Sequence, residues 1–308
     1  MADTAREDST RVAGVGRTAL LVAAARAIET SRPDAPARDE YAEHFVRAAP
    51  GCADWPLRFD QVPDGDADPL WGRLARFFGL RTRVFDGFLL GAAADGCRQV
   101  VVLGAGLDTR AYRLPWPDGT TVFEIDQEPV LTFKQSVLNG LGAVPRASRV
   151  ALTADLRRDW AGALTGAGLD PTRPTAWLAE GLVPYLPPAA ELELLATVDA
   201  HSAAGSAFGY EVKSGVRPAE QRGFPIYAAV RERLGIDLLA LFDAGPRPDS
   251  VADLGARGWR TTVHTPFGVA VRDGAGLRPA SDDALAANRW ILAVRSAGAN
   301  TAPVHVPA

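Results

Sequence analysis

Two glycines and an acid carry the most specific chemistry in this chain. Gly104 and Gly106 stand in Val100-Val-Val-Leu-Gly104-Ala-Gly106-Leu-Asp108-Thr-Arg110, and Asp126 closes Val122-Phe-Glu124-Ile-Asp126. Glycines at 104 and 106 let the backbone turn sharply and pass close to a ligand, where a β-carbon would collide. Asp126 lies 22 residues after Gly104, near the ~20-residue interval at which an acid accepts both hydroxyls of a ribose. A dinucleotide needs a third glycine for helix packing and for pyrophosphate on the helix N-terminus, and this chain has Thr109 there. S-Adenosylmethionine carries no phosphate, so a two-glycine turn followed by Asp108 suits it better than it suits a dinucleotide. An ordinary glycine turn with no ligand is the plainer alternative, which an acid at the right interval weakens.

A turn of this kind works only between a buried strand and a helix, and the surrounding pattern supplies them. Gln99-Val-Val-Val-Leu103 is a short continuous apolar run closed by Gly104, as expected of a strand covered on both faces. Similar runs at 120–125, 148–152, 175–179 and 206–210 alternate with helical segments, notably 129–138 and 189–200. That alternation predicts an α/β fold with a doubly wound, mostly parallel, Rossmann-like sheet. Two last strands are expected at 259–264 and 289–295. Before the first strand the chain reads as helical from about Val12 to Leu90, with Leu20, Leu21, Ala24 and Ile28, then Leu74, Phe77, Phe78, Phe85, Phe88 and Leu89, at helical spacing. The Pro/Asp/Gly-rich stretch 31–68 should hold one short helix around 41–48. Between Lys213 and Pro248 neither a strand nor a clean heptad is evident, which suits a lid over a pocket. The expected organisation is an N-terminal helical cap at 1–97, a core at 98–297 with a lid insertion at about 211–250, and a frayed tail at 298–308.

The same residues resemble a known family. Gly104-Ala-Gly-Leu-Asp-Thr-Arg110-Ala-Tyr-Arg-Leu114, Phe123-Glu-Ile-Asp-Gln127 and Ala179-Glu-Gly-Leu-Val-Pro-Tyr-Leu186 resemble motifs of the leucine carboxyl methyltransferase family. The likeness is greatest to its bacterial branch of O-methyltransferases and polyketide tailoring enzymes. It extends to Arg17-Thr-Ala-Leu-Leu-Val-Ala-Ala-Ala-Arg-Ala27, Tyr41-Ala-Glu-His-Phe-Val46 and Arg81-Thr-Arg-Val-Phe-Asp86, in the expected order over nearly the whole chain. The resemblance implies a class I methyltransferase fold and S-adenosylmethionine as cofactor. By the same resemblance Arg81 pairs with the carboxylate of the methionine moiety, a role suited to a guanidinium fork. Gly104, Ala105 and Gly106 pass beneath the amino acid and ribose, Asp126 with Gln127 holds the ribose, and Asp155 with Leu156 recognises adenine. Glu180 stands at the end of the strand facing the methyl group, and Glu180 and Tyr185 are the candidate catalytic residues. Asp155 has an alternative reading as the cap of a helix beginning near Arg157; Arg81 has one as a solvated helix charge. The chain departs from the bacterial pattern at Asp39-Glu40, where an Asp-Pro pair is usual, and at Val183-Pro184, which replaces a bulkier pair. Both departures bear on the acceptor rather than on the cofactor.

A carboxylate acceptor is its own nucleophile at neutral pH, whereas a phenol or alcohol needs a general base. No motif places His44, His201, His264 or His305 at the site. The expected reaction is therefore O-methylation of a small organic carboxylate, such as one on a secondary metabolite, with Arg110, Arg113, Lys213 or Arg222 orienting the anion. Three alternatives stand: a hydroxyl acceptor with Glu180 as base, a peptide C-terminal carboxylate, and a protein that binds the cofactor without turnover.

Composition closes off other classes. The 308 residues are 47% hydrophobic, enough for a full core. Cys52 and Cys97 sit in no metal-binding or disulfide pattern, so no metal is expected. A net charge of −4 with scattered arginines lacks the footprint of nucleic-acid binding. The polar start and the lack of any apolar run near ~20 residues predict a cytoplasmic protein with no membrane partner; the sequence is silent on oligomeric state.

Overall fold

Val100 to Leu103 alternate between two cores, and that alternation organises the molecule. In the computed structural model, which describes residues 16–156, 160–214, 221–243 and 245–296, strand β1 (Gln99–Leu103) is buried along its length. Val100 and Val102 join the N-terminal helices in one hydrophobic cluster; Val101 and Leu103 join Trp177, Phe208 and the helices of the opposite face in the other. A strand covered on both sides must be apolar on both sides.

Around β1 stand β2 (Thr121–Asp126), β3 (Ser148–Thr153), β4 (Thr175–Ala179), β5 (Ala207–Lys213), β6 (Trp259–His264) and β7 (Asn288–Arg295). Among the described residues they form a seven-stranded sheet in the order β3-β2-β1-β4-β5-β7-β6. β1 to β5 are mutually parallel where they pair, and β7 runs antiparallel to both β5 and β6. This is the mostly parallel, Rossmann-like sheet that the apolar runs predict, and the order reverses direction beside β1, where such sheets bind ligands.

The N-terminal helices cover one face. α1 (Arg17–Thr30), α2 (Ala42–Arg47) and the 24-residue α3 (Trp71–Ala94) precede β1. The Asp68 carboxylate accepts from the backbone N–H groups of Leu70 at 2.9 Å and Trp71 at 2.6 Å, satisfying donors that the first turn of α3 leaves unpaired. Later helices are α4 (Arg110–Arg113), α5 (Glu128–Gly140), α6 (Ala161–Gly166) and α7 (Pro188–Ala200). The helix expected near Arg157 begins at Ala161 among the described residues, and 157–159 lie outside them.

The segment between β5 and β6 corrects one expectation: it is helical. α8 (Pro225–Leu234), the single turn α9 (Leu238–Leu241) and α10 (Ser250–Ala256) follow β5, and α11 (Pro266–Arg272) follows β6. Pro225 occupies the first turn of α8 and Gly235 ends it with φ +65°, the usual start and stop residues of a helix. Its buried Ile226, Ala229 and Val230 make a short apolar face that mixed charges obscure in the sequence. Residues 215–220 and 244 of the expected lid, and the expected tail at 298–308, lie outside the described residues.

Candidate active site

The turn after β1 is shaped by its two glycines. Gly104 has φ +66° and Gly106 φ +46°, both left-handed values that L side chains rarely adopt. A β-carbon on Gly104 would also sit 3.2 Å from Leu182 Cδ1. Beside this turn, Asp126 ends β2, and its carboxylate accepts from the Gly106 N–H at 2.6 Å and the Gln127 N–H at 2.7 Å. Burial raises the Asp126 carboxyl above its ordinary value against those two donors.

The turn forms one end of a cavity of about 580 Å³ lined by the expected site residues Arg81, Gly104, Ala105, Gly106, Asp126, Gln127, Glu180 and Tyr185. Asp155 and Leu156 follow the neighbouring strand β3 and are not among the lining residues. At the other end the wall is apolar and aromatic, with Phe77 and Phe78 from α3, Ile226 and Tyr227 from α8, and Phe242 after α9. Tyr185 packs on Phe242 with ring centroids 5.2 Å apart, and burial pushes its phenol up to about 12.

A chain of alternating charges runs beneath this cavity. Arg113 Nη2 donates to Asp86 Oδ1 at 2.7 Å and Arg110 Nε to the same oxygen at 2.7 Å. Arg110 also pairs with Asp108, and its Nη2 lies 2.8 Å from Glu180 Oε2. Glu180 Oε1 in turn lies 2.9 Å from Arg81 Nε, and Arg81 Nη1 donates to Glu211 Oε2 at 2.6 Å. Trp290 Nε1 ends the chain by donating to Glu211 Oε1 at 3.2 Å. Ions this deep persist only when each has a partner. The Arg81 nitrogens in its pairs with Glu180 and Glu211 are Nε and Nη1.

One expectation about these groups changes. Arg110 and Arg113 are buried and bound to Asp86 and Asp108, so neither is free to orient an acceptor. Glu124, on the strand that follows, pairs with Lys134 and Arg149. Arg222 is exposed and is not among the cavity-lining residues, whereas Lys213 is. Burial alone would raise the Glu180 carboxyl, but Arg110 and Arg81 outweigh that and hold it below the ordinary carboxylate range. Among the described histidines, none lines the cavity, and His305 lies outside the described residues.

Sequence reasoning did not single out Glu211 or Tyr227. Glu211 had one signal, a charge directly after the apolar run Ala207-Phe-Gly-Tyr210, and Tyr227 had none.

Residues 19–199 match a family model described as Leucine carboxyl methyltransferase. A protein of Streptomyces coelicolor named as an S-adenosyl-L-methionine-dependent methyltransferase is 58% identical over 301 residues, covering 96% of this chain and 99% of that one. One of the same name from Saccharopolyspora erythraea is 48% identical over 257 residues, covering 83% and 87%. Among solved structures, a DUF574 family protein from Streptomyces avermitilis superposes with a TM-score of 0.51 at 15% identity, covering 88% of this chain and 99% of that one. That likeness concerns the fold alone. No helix among the described residues is long and apolar enough to cross a membrane.

Proposed function

Because the chain belongs to the leucine carboxyl methyltransferase family, and is thus an S-adenosylmethionine-dependent methyltransferase, we propose that it methylates an oxygen of a small organic acceptor, a carboxylate. The observation that carries this reading is a cation facing the cavity: among the described residues no histidine lines it, whereas Lys213 does and makes no salt bridge. Glu180 is already ion-paired between two guanidiniums.

The residues fit the cofactor. Gly104 keeps open a space that a β-carbon would close against Leu182, and Asp126 presents a carboxylate at the end of β2 with acceptor capacity beyond its two backbone bonds. In this reading Arg81 holds the methionine carboxylate, Gly104 to Gly106 underlie the amino acid and ribose, and Asp126 with Gln127 takes the ribose hydroxyls. Asp155 and Leu156 serve the adenine. Bound S-adenosylmethionine supplies a methyl already activated on sulfonium sulfur, so an ionised carboxylate oxygen can take it with no proton to remove. The protein's contribution is alignment and exclusion of water, worth several kcal/mol of barrier. Glu180 positions Arg81 from below, and Tyr185 walls the acceptor side. We assign residues 1–97 to a cap, 98–297 to the core and 211–250 to a lid over the acceptor.

The reading is tested by product chemistry: incubation with labelled cofactor and a panel of carboxylic acids and phenols should yield a methyl ester that mild alkali releases. An alkali-stable methyl would remove the carboxylate assignment. A second prediction concerns Arg81. Arg81→Met keeps the aliphatic stem and should weaken S-adenosylhomocysteine at least about tenfold more than 5′-methylthioadenosine, which has no carboxylate, since a charge-assisted hydrogen bond contributes about 1.5–3 kcal/mol. Equal losses for both ligands would mean that Arg81 acts only by supporting Glu180 and Glu211.

A further inference from the structure

Three cations line the cavity, and two of them are neutralised. Arg26 lies 3.3 Å from Asp39, and Arg81 is held by Glu180 and Glu211. The third, Lys213 at the end of β5, makes no salt bridge among the described residues. Its Nζ donates to the Tyr227 hydroxyl at 3.2 Å and lies 5.4 Å and 5.8 Å from the ring centroids of Phe242 and Tyr227. Glu211, two residues away on the same strand, has both oxygens engaged by Arg81 and Trp290.

A partly buried ammonium facing a cavity without a counter-ion is costly. Burial pushes Lys213 down to about 8, against the pull of Glu211 and with the repulsion of Arg81. An anion in the cavity would relieve that cost. Lys213 stands among aromatic rings, while Asp126 and the glycine turn occupy the cofactor end of the same cavity. An acceptor lying between them presents a charged oxygen to Lys213 and a flat apolar body to Phe77, Phe78 and Phe242.

We propose that Lys213 and the Tyr227 hydroxyl together anchor the carboxylate of the methyl acceptor, and that this acceptor is an arylcarboxylate. The assignment rests on the carboxylate reading above. One carboxylate oxygen takes the Lys213 and Tyr227 donors, which leaves the other free to react. It also gives a sign: Lys213 must be protonated to bind. Around it stand Glu211 on its own strand, Arg81 on α3, Tyr227 on α8 and Tyr185 after β4. Arg81 and both phenols are shifted upward, so Lys213 is the cavity cation that loses its proton between pH 7 and 9.

The test is calorimetry on the full chain loaded with S-adenosylhomocysteine, using benzoate and 2-naphthoate, each against its neutral amide. The parent should bind each acid at least about tenfold tighter than its amide at pH 7. Lys213→Met should erase that preference and Tyr227→Phe should reduce it severalfold, with S-adenosylhomocysteine affinity retained in both. Acid affinity should fall as pH rises through and beyond 8, and amide affinity should stay level. A parent with no preference for the acids, a Lys213→Met variant that keeps the preference, or an acid affinity that climbs with pH would each overturn the anchor. If Lys213→Met fails to fold, Tyr227→Phe and the parent's pH profile still decide. Acids that bind through Lys213 while the methyl product resists alkali would leave the anchor standing and remove the ester reading alone.

Discussion

Asp86→Ala should destabilise the fold by about 3–5 kcal/mol, the range for removing one partner from a buried ion pair. Asp86 is buried and joins two guanidiniums, Arg110 and Arg113. Arg110 retains Asp108 and Glu180 in the variant, but Arg113 loses the one carboxylate it pairs with among the described residues. The cost is therefore mostly that of a stranded Arg113, and Asp86→Ala combined with Arg113→Met should lose less than the two single changes added together. Burial opposes ionisation of Asp86, but Arg113 and Arg110 more than reverse it and hold its carboxyl below the ordinary value. A carboxyl lowered on folding contributes stability that is present above its unfolded pKa and lost as pH falls through the folded one. The gap between parent and variant should thus be full at pH 7 and narrow below about pH 4. Urea unfolding at several pH values measures this. A variant within 1 kcal/mol of the parent at pH 7 would show that the charge chain beneath the cavity is not a structural element.

Asp126→Ala should weaken S-adenosylhomocysteine by about 10- to 150-fold, the equivalent of the ~1.5–3 kcal/mol that a hydrogen bond to a charged group contributes. The carboxylate acts twice: it would accept the ribose hydroxyls, and it already holds the Gly106 N–H at 2.6 Å, which fixes the glycine turn. Asp126→Asn keeps one acceptor oxygen and should give an intermediate loss. The two effects separate by ligand, because methionine alone lacks a ribose and should feel only the altered turn. Undiminished affinity for S-adenosylhomocysteine in calorimetry would take Asp126 out of the ribose role.

The glycine turn and Asp126 were readable because their spacing is local: Gly104, Gly106 and Asp126 belong to one strand-turn-helix-strand unit, and the apolar runs of β1, β2 and β4 announce strands buried on two faces. Strand ends were readable to within a few residues for the same reason. α8 was not, because its helical face is only a few residues wide and charged positions interrupt it.

What the sequence by itself determined is the α/β class, the order of the strands along the chain, and the residues that resemble the family's cofactor site. Tertiary structure decided which charges are spent and which remain available. Arg110 and Arg113 follow the glycine turn and look free in one dimension, yet Asp86 from α3 neutralises both across 24 and 27 residues. Glu211 is claimed by Arg81 across 130 residues, which leaves Lys213 without a counter-ion among the described residues. Hydrophobic periodicity reports how each segment meets water, a local property, and so it survives in the sequence. A buried charge is governed by whatever ion the fold brings within about 3 Å of it, and that neighbour is chosen by sheet order and helix packing.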